Sequence, residues 1–466
     1  MKAEDLKGKK ITVMGLGLHG GGVGTVKFLA EAGARVVATD IKTGEELASS
    51  LAKIRNLKNV ELVLGQHRQE DFSQVDMVIK NPGVSWSNQH IKIALENKIP
   101  VEIDASLFFK LCQNRIIGVT GTKGKTTTAS LIFEILKTSG KEPVKVGVGQ
   151  VSVLDKLKDL KKDSLVVFEL SSWRLSGLGR AKISPQIAVW TNFYPDHLNY
   201  YKDLESYKKD KKYIFSSQSK EDFLIVNWDQ EVLRMLEGEA ESKITKFSTL
   251  GNPGGNSVYL ENGSLFWNDG IDKKKIIDVE EIKLRGKHNV GNVLAAIGAT
   301  LAVGVKISEI KKAVSAFPGI PHRLEWVREF QGVNYFNDTA ATTPESAISG
   351  IDSFEESLIL ITGGTDKNLE FRNLAEIISQ KPRKTILLKG TASDKIVEEL
   401  KKIGREKQIG LNYLLAFSME EAISIARSLA RRGEVVLLSP GAASFGMFKN
   451  EFDRGDKFKE AVKDLK

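Results

Sequence analysis

The chain has few of the residues that form disulfides and sulfur-ligated metal clusters. Its 466 residues include one cysteine, Cys112, and six histidines. A single cysteine cannot form an internal disulfide, and it cannot supply the several thiolates of a metal cluster. A chain without disulfides suits a reducing compartment, and we therefore expect a cytoplasmic protein.

Long apolar runs are also missing. No run approaches the ~18 to 20 residues that a membrane helix needs, and short runs such as Val435–Leu438 are typical of buried strands. The charged start, Met1–Lys10, leads into Ile11–Gly15, which predicts a strand entering a glycine turn and not the apolar core of an export signal. We therefore expect neither a membrane span nor an export signal.

Charge of one sign does not dominate the sequence. Lysine and arginine number 68 against 59 aspartates and glutamates, which leaves a net charge of +9. This modest excess suits anionic small molecules as well as nucleic acid. With 41% hydrophobic and 27% charged residues the composition is typical of a globular protein. The length predicts about three domains of ~150 residues each.

Three strand–turn–helix openings predict an α/β fold. The first is a Rossmann-like start, with a strand at Ile11–Gly15, a helix at Val23–Ala32 and a strand at Arg35–Thr39. The second predicts a central parallel sheet from the segments Ile116–Thr120, Lys125–Ser139, Leu165–Phe168 and Ile187–Trp190. The third region again alternates strands and helices, at Leu358–Ile361, Thr385–Leu388, Asp394–Ile403, Met419–Arg431 and Val435–Leu438.

This alternation breaks at two places. Lys110–Arg115 separates the first two regions, and Phe317–His322 places two prolines and a glycine between the second and third. We therefore predict three domains, at residues 1–112, 113–317 and 318–466. Late in the middle domain, Gly251–Asn256 predicts a loop, and a small hairpin follows near Tyr259–Asp269.

A glycine–lysine loop follows the first strand of the central region and opens a helix. It consists of Gly121, Thr122, Lys123, Gly124, Lys125, Thr126 and Thr127. Backbone N–H groups at a helix N-terminus cradle phosphates, and Lys125 would reach the terminal phosphate oxygens. The two hydroxyls that end the loop are suited to Mg²⁺. Val119 stands where the standard phosphate loop has its first glycine, and ATP is nevertheless the predicted ligand.

Acidic residues follow the next two strands of the predicted sheet. Glu169 ends one strand, and Asp196 and His197 follow another. The carboxyl ends of parallel strands share one sheet edge, where metal and phosphate ligands converge. The lysine-rich run at residues 207–213 is typical of a solvated helix face for most of its lysines. One of these lysines differs in its expected role.

An ordered set of motifs resembles the Mur ligases over essentially the whole chain. The motifs are Gly121–Thr126, Glu169–Ser172, Asp196–His197, Gly286–Asn289, Pro321–Arg323, Asn337–Asp338 and Ser439–Ser444. The resemblance implies a Rossmann-like N-terminal domain, a central ATPase-like domain and a Rossmann-like C-terminal domain. It also implies ATP-dependent carboxylate–amine ligation in peptidoglycan synthesis. The segment from Ser439 to Gly455 is most similar to the member that adds D-glutamate to UDP-N-acetylmuramoyl-L-alanine through an acyl phosphate.

The resemblance also implies roles for the phosphate and metal residues. Lys125 would neutralise the transferring phosphoryl group, and Thr126 with Glu169 would hold the Mg²⁺ that bridges two phosphates. His197 matches the ligand of a second Mg²⁺. Lys211 matches a carbamylated lysine, in which captured CO₂ turns a cation into an anionic oxygen ligand.

Further residues match the family's substrate positions. The ATP positions are Asn289, Asn292, Arg323 and Asp338. The UDP-substrate positions are Gly17, Leu18, His19, Asp40, Lys42, Asn81, Gly83 and Gln150. The amino-acid positions are Thr342, Lys367, Ser444 and Phe445. The expected partners are therefore a UDP-linked muramoyl substrate and an amino acid, with no nucleic acid or membrane, and we expect a monomer.

Three departures from the family pattern concern the substrates. Ala340 stands where the family has a lysine, Gln150 replaces an asparagine, and the first glycine loop is extended through Gly22 and carries His19. They leave open a related Mur-type ligase that uses another amino acid or another carboxylate.

Two other classes of protein stay open on the sequence. An NAD-dependent oxidoreductase would use the Gly15–Gly20 fingerprint with Asp40, but it leaves Lys125 and Glu169 unexplained. A nucleic-acid-binding ATPase would need lysines gathered in one aromatic-interleaved stripe, whereas here they are spread through many helices.

Overall fold

The computed structural model describes residues 1–18, 20–148, 152–196, 200–407 and 413–466. These residues form three sheets of five, nine and six strands with helices between them, which confirms the predicted α/β class. The chain divides into two compact units, Met1–Glu281 with Val290–Ser315, and Ile282–Asn289 with Ala316–Lys466. The first two sheets belong to the first unit and the third sheet to the second. The domain boundaries near residues 112 and 317 stay a prediction.

The first sheet is wholly parallel and has the order β3-β2-β1-β4-β5. Its strands are β1 (Lys10–Met14), β2 (Arg35–Asp40), β3 (Val60–Leu64), β4 (Met77–Lys80) and β5 (Val101–Glu102). Its helices are α1 (Gly21–Glu31), α2 (Ala48–Leu51), α3 (Glu70–Ser73), α4 (Gln89–Glu96) and α5 (Asp104–Leu111), after a short 3-10 helix at Ala3–Leu6. Because β1 is central, its glycine turn lies at the middle of the carboxyl edge, where parallel sheets bind ligands.

The second sheet has the order β14-β13-β12-β11-β10-β9-β6-β8-β7. Its strands are β6 (Ile116–Thr120), β7 (Pro143–Val146), β8 (Leu165–Glu169), β9 (Ile187–Trp190), β10 (Phe223–Asn227), β11 (Lys243–Ser248), β12 (Asn256–Glu261), β13 (Ser264–Asp269) and β14 (Lys273–Asp278). The α-helices are α6 (Lys125–Thr138), α7 (Ser172–Ala181), α8 (Leu204–Lys212), α9 (Glu231–Arg234), α10 (Lys287–Leu301) and α11 (Ile307–Ala316). The 3-10 helices are Leu154–Asp159, Met235–Gly238 and Val279–Glu281.

The predicted hairpin is part of this second sheet. Strands β12 and β13 pair antiparallel as expected, and β14 adds a third antiparallel strand at the sheet edge. The sequence did not show β14 because its first half, Lys273–Lys275, is charged and exposed. Strand β6 lies between β8 and β9 and is buried along its whole length, so the glycine–lysine loop emerges from the interior of the sheet.

The third sheet has the order β15-β16-β20-β17-β18-β19, with β15 antiparallel and the rest parallel. Its strands are β15 (Glu325–Phe330), β16 (Val333–Asn337), β17 (Leu358–Gly363), β18 (Lys384–Leu388), β19 (Tyr413–Ala416) and β20 (Val435–Leu438). Its helices are α12 (Pro344–Ile351), α13 (Arg372–Gln380), α14 (Thr391–Lys407), α15 (Met419–Leu429) and α16 (Glu451–Lys463).

Apolar packing inside the first unit joins its two sheets. Residues of β1, α5 and β8 belong to one buried cluster, and the rings of Phe108 and Phe168 meet edge to face with centroids 5.3 Å apart. Among the helices of the described ranges, none has the length and apolar character to cross a bilayer. The stability of this unit therefore rests on a water-excluded core shared by both sheets.

Candidate active site

The glycine–lysine loop requires glycine at two positions. Gly124 caps α6 with φ of +81°, and a Cβ there would lie 2.2 Å from Oδ1 of Asn292. Gly121 has φ of +151°, and a Cβ there would lie 1.9 Å from the hydroxyl of Thr191. Other residues disfavour such backbone angles and here would also collide with their neighbours. The loop therefore packs tightly against the end of β9 and against α10.

Lys125 lies over this loop. Its ammonium donates hydrogen bonds to the carbonyl oxygens of Gly121 and Thr122, each at 3.0 Å. Thr126 and Thr127 follow it in the first turn of α6 and are half-buried. A cation and two hydroxyls are thus held beside the N–H groups that open the helix, an arrangement that suits an anionic phosphate chain.

Lys211 is a buried lysine that contacts the same loop. Its side chain is 1% exposed, and its amine donates to the carbonyl oxygen of Gly121 at 2.9 Å. Burial, together with the nearby charge of Lys125, holds the pKa of Lys211 well below its usual range. Among the four lysines of residues 207–213, Lys211 alone is buried. Its amine is therefore more readily deprotonated than that of a surface lysine.

The two acids noted in the sequence, one of them a predicted metal ligand, end or follow strands of the second sheet. Glu169 closes β8 and is half-buried, and its carboxylate has no hydrogen bond or ion pair with any other described residue. Asp196 pairs with Lys123 at 3.5 Å. His197 lies outside the described residues, as do His19 and Gln150. Within the described ranges no three His, Cys, Asp or Glu residues cluster as a metal site.

The glycine turn of the first sheet borders a cavity of about 240 Å³. Of the predicted UDP-substrate residues, Gly17, Leu18 and Asn81 line it. Asp40 does not line it but fixes its wall, because its carboxylate accepts the N–H of Gly17 at 3.1 Å and that of Lys42 at 3.0 Å. The exposed Lys42 side chain and Gly83 lie outside the lining.

Three charged residues of this cavity were missed in the sequence. Lys80 closes β4 and is 1% exposed; burial lowers its pKa to about 8, and it donates to the carbonyl of Val84 at 2.8 Å. Asp104 opens α5, and its carboxylate accepts a hydrogen bond from Arg174 of α7 at 3.3 Å. The sequence could have indicated Lys80, because it is a charged residue that ends an apolar strand and directly precedes Asn81.

The predicted nucleotide residues are divided between the two units. In the first unit, Asn292 is buried and receives a hydrogen bond from Thr128 at 3.4 Å. In the second, Asn289 is buried and donates to the carbonyl of Arg285 at 2.6 Å. Arg323, also in the second unit, is exposed.

Asp338 follows β16 and is buried in the second unit. Burial raises its pKa to about 7, and its carboxylate accepts hydrogen bonds from the Ser439 hydroxyl at 2.9 Å and the Leu324 N–H at 3.2 Å. A carboxyl with this pKa is partly protonated at neutral pH, unlike an exposed aspartate.

The predicted amino-acid residues follow three strands of the third sheet. Ser444 is buried after β20, and the exposed Lys367 after β17 lies 5.3 Å from the ring centre of the exposed Phe445. Thr342, after β16, is half-buried, and its N–H donates to the carbonyl of Ala340 at 3.0 Å. The sheet therefore carries these four residues on loops from its carboxyl edge.

Arg454 is a further buried charge that the sequence analysis did not assign. It is fully buried on α16 and donates to the hydroxyl and carbonyl of Thr339 at 2.9 and 3.0 Å and to the carbonyl of Ala442 at 3.1 Å. Burial lowers its pKa to about 10. It thereby ties the loop after β16 to the loop after β20.

Three consecutive segments of the chain, one for each sheet, match family models of Mur ligase domains. Residues 9–102 match the Mur ligase MurD-like N-terminal domain, residues 119–300 the Mur ligase middle domain, and residues 322–441 the glutamate ligase domain of Mur ligases. Curated relatives also match the chain from end to end. The chain belongs to the Mur ligase family, and it is an ATP-dependent ligase.

Two relatives illustrate the match. A protein of Roseiflexus sp. (strain RS-1), named UDP-N-acetylmuramoylalanine–D-glutamate ligase, is 39% identical over 98% of this chain and 99% of its own. A protein of the same name from Clostridium kluyveri is 38% identical over 99% of this chain and 98% of its own. These matches confirm the predicted family and enzyme class, and they lend no support to the oxidoreductase or the nucleic-acid-binding ATPase.

Solved structures agree on the fold. The UDP-N-acetylmuramate-alanine ligase MurC of Thermotoga maritima superposes with a TM-score of 0.59 at 20% identity, covering 98% of this chain and 100% of its own. The MurF ligase of the same organism, solved with ADP, gives 0.58 at 16% identity, covering 99% and 97%. At this identity the likeness supports the fold alone.

Proposed function

We propose that the protein joins D-glutamate to UDP-N-acetylmuramoyl-L-alanine at the expense of ATP, as a step of peptidoglycan synthesis. The observation that carries this proposal is the end-to-end similarity to relatives of that name in Roseiflexus and Clostridium kluyveri. On this proposal the enzyme works in the cytoplasm as a monomer.

The proposed reaction has two steps. The γ-phosphoryl group of ATP moves to the substrate carboxylate, which gives an acyl phosphate and ADP. The amine of the amino acid then attacks the acyl carbon, loses a proton and displaces inorganic phosphate, so that an amide remains. Lys125 would stabilise the negative charge on the transferring phosphoryl group, and the N–H groups of the loop would orient the phosphate chain.

The metal proposal places two Mg²⁺ ions at Thr126, Glu169, His197 and Lys211. The described residues fit this chemistry, because Glu169 offers a carboxylate that no other described side chain pairs with, and Thr126 offers a hydroxyl. Oxygen donors of these kinds are the ones that Mg²⁺ prefers. Bound Mg²⁺ would neutralise phosphate charge during transfer.

Lys211 fits the carbamate proposal for a separate reason. Its buried amine has a lowered pKa, and the neutral amine is the form that attacks CO₂. The new N–C bond forms with loss of a proton and leaves a carboxylate whose single negative charge is shared by two oxygens. The amine would thereby change from a hydrogen-bond donor to an oxygen ligand.

We propose a separate binding site for each of the three substrates. ATP would bind at Gly121–Thr127 with Asn289, Asn292, Arg323 and Asp338. The UDP-linked substrate would bind at the cavity beside the first sheet. The amino acid would bind at the loops that carry Thr342, Lys367, Ser444 and Phe445.

A second candidate function is a related ligase with another amino-acid acceptor. It is favoured by Ala340, which places a methyl group instead of a cation two residues before Thr342. An acceptor with less negative charge than D-glutamate would suit such a pocket.

The test is ADP release measured with purified protein, ATP, UDP-N-acetylmuramoyl-L-alanine and one amino acid at a time. D-Glutamate should give the fastest release, and L-glutamate serves as the control for stereochemistry. A faster rate with a neutral amino acid would favour the second candidate, and no release with any acceptor would contradict both.

A further inference from the structure

The strongest unassigned feature is the guanidinium of Arg174 in the cavity beside the first sheet. Building on the proposed function, we infer that Arg174 is a substrate-binding residue that holds an oxyanion of the UDP-linked substrate. The oxyanion belongs either to the diphosphate or to the carboxylate of the substrate. Either source offers two oxygens of one anionic group to the planar fork of guanidinium donors.

Protein contacts fix the position of Arg174. It stands in the first turn of α7, where its N–H donates to the hydroxyl of the N-cap residue Ser171 at 3.3 Å. One amino group of the guanidinium donates to the carboxylate of Asp104 at 3.3 Å, and the other donates to the carbonyl of Gly147 at 3.2 Å. Two contacts from different parts of the chain therefore orient the plane of the guanidinium.

The backbone around Gly147 leaves space for this side chain. Gly147 has φ of +84°, and a Cβ there would lie 3.0 Å from Arg174 and 2.5 Å from the carbonyl oxygen of Glu169. A larger residue would displace the guanidinium and strain the backbone at once. The glycine thus keeps Arg174 in its place at the cavity wall.

Arg174 retains donors that the protein does not use. Within the described parts of the chain, its Nε–H and one hydrogen on each amino group have no acceptor. Its side chain is 20% exposed, and it lines the cavity with the N–H-rich glycine turn. An oxyanion in the cavity can therefore take up donors that are already oriented, which reduces the entropy lost on binding.

The charges of the cavity favour an anion. Asp104 is the only acid among the described lining residues, and it is already paired with Arg174. The second cation, Lys80, directs its amine to the carbonyl oxygens of Asn81, Pro82 and Val84, at 3.4, 3.5 and 2.8 Å. Lys80 therefore stabilises the backbone of the cavity wall, and Arg174 keeps donors that can bind a ligand.

The test compares the binding of three ligands by calorimetry without ATP. The ligands are UDP, UDP-N-acetylglucosamine and UDP-N-acetylmuramoyl-L-alanine, of which only the last has a carboxylate. Arg174→Gln should weaken binding by about ten- to a hundredfold, the usual effect of a lost charge-assisted hydrogen bond. Weaker binding of all three ligands would identify the diphosphate as the group that Arg174 holds. Weaker binding of the muramoyl ligand alone would identify the carboxylate.

The matched control is Arg180→Gln. Arg180 lies on the same helix, is exposed, stacks on Trp86 at 4.2 Å and does not line the cavity. The Arg180→Gln variant should bind each ligand with an affinity within about twofold of that of the wild type. Arg174→Lys keeps the charge without the planar fork and should bind with intermediate affinity. The melting temperature and the KM for ATP establish that each variant is folded.

Binding by Arg174→Gln within twofold of the wild type, in a folded protein, would overturn the inference. An equal loss in Arg180→Gln would do the same, because it would reflect the net charge of the helix. If the wild type itself does not bind the muramoyl substrate, the proposed function fails together with this inference. Binding without turnover would contradict the proposed function alone.

Discussion

The amine of Lys211 lies 2.9 Å from the carbonyl oxygen of Gly121, so the buried lysine of α8 contacts the first residue of the glycine–lysine loop. This contact brings together two segments that are 90 residues apart in the sequence. It distinguishes Lys211 from the solvated lysines beside it, and it gives the proposed carbamate a location next to the residues proposed to bind phosphate.

Lys211→Ala is therefore expected to reduce turnover by about a hundred- to a thousandfold, the scale seen when a charge-stabilising group is lost. Added acetate should restore part of the rate, because a short carboxylate can enter the space left by the side chain and supply the missing oxygens. Steady-state turnover with and without acetate gives the measurement. Lys209→Ala, which alters an exposed lysine of the same helix, should keep near-normal activity. Equal losses in both variants would mean that the helix face acts only through its charge.

Lys125→Ala should reduce ligation by about a hundredfold or more, because its ammonium lies over the loop where phosphoryl charge would develop. Binding of the UDP-linked substrate should change little, since Lys125 does not line the cavity beside the first sheet. Turnover and calorimetric binding measured on the same preparation separate the two effects. Near-normal turnover would be incompatible with the proposed ATP site.

Gly124→Ala should abolish measurable ATP binding. Its left-handed backbone angle disfavours a side chain, and the new Cβ would collide with Asn292 at 2.2 Å. Gly140→Ala is the matched control, because Gly140 has φ of +74° but no atom within 4 Å of the added Cβ. That variant should lose about 1 to 2 kcal/mol of stability and retain ATP binding. Nucleotide titration and denaturant melts measure the two quantities. ATP affinity unchanged in Gly124→Ala would show that the loop does not bind the nucleotide.

Asp338 gives a pH prediction for the second unit. Its native carboxyl keeps a proton up to about pH 7, whereas an unfolded aspartate loses it near pH 4. The unfolded state therefore binds fewer protons across this window, and raising the pH lowers the free energy of unfolding. Asp338→Asn should remove this contribution. The melting temperature of the variant minus that of the wild type should therefore be larger at pH 8 than at pH 5. The same difference at both pH values would show that burial does not control this carboxyl.

Ala340→Lys tests the amino-acid pocket. A lysine there should lower the KM for D-glutamate by several-fold to about tenfold, the usual gain from one charge-assisted hydrogen bond to a carboxylate. The KM for ATP should stay the same. If the wild type already uses D-glutamate exclusively and with high affinity, and the lysine gives no gain, another side chain supplies the contact.

Local patterns predicted the position of the glycine–lysine loop well. Strand β6, the glycines and α6 are consecutive, so the sequence showed both the loop and its place at a sheet edge, and the helix ends within one residue of the prediction. The contacts of Arg174 could not be predicted in this way, because Asp104 and Gly147 lie 70 and 27 residues away along the chain. Only the folded chain brings these groups together.

Strands with exposed faces were among the omissions, beside buried strands such as β4, β10 and β16. Strand β15 has no buried position and β14 is charged over its first half, so neither shows the apolar run that marked the central strands. The predicted boundary near residue 112 followed a change of pattern, yet Phe108 and Phe168 on its two sides pack in one core. A break in the sequence pattern therefore does not require a break in the packing.

Ligation through an acyl phosphate moves one carboxylate oxygen to phosphate, and an oxygen isotope therefore reveals that intermediate. UDP-N-acetylmuramoyl-L-alanine labelled with heavy oxygen in its carboxylate is incubated with the enzyme, ATP and D-glutamate, and the products are identified by mass spectrometry. Transfer through an acyl phosphate gives a product heavier than the labelled substrate by glutamate less one heavy-oxygen water, together with inorganic phosphate that carries the heavy oxygen lost from the carboxylate. Unlabelled phosphate, or no glutamate adduct, would contradict this mechanism.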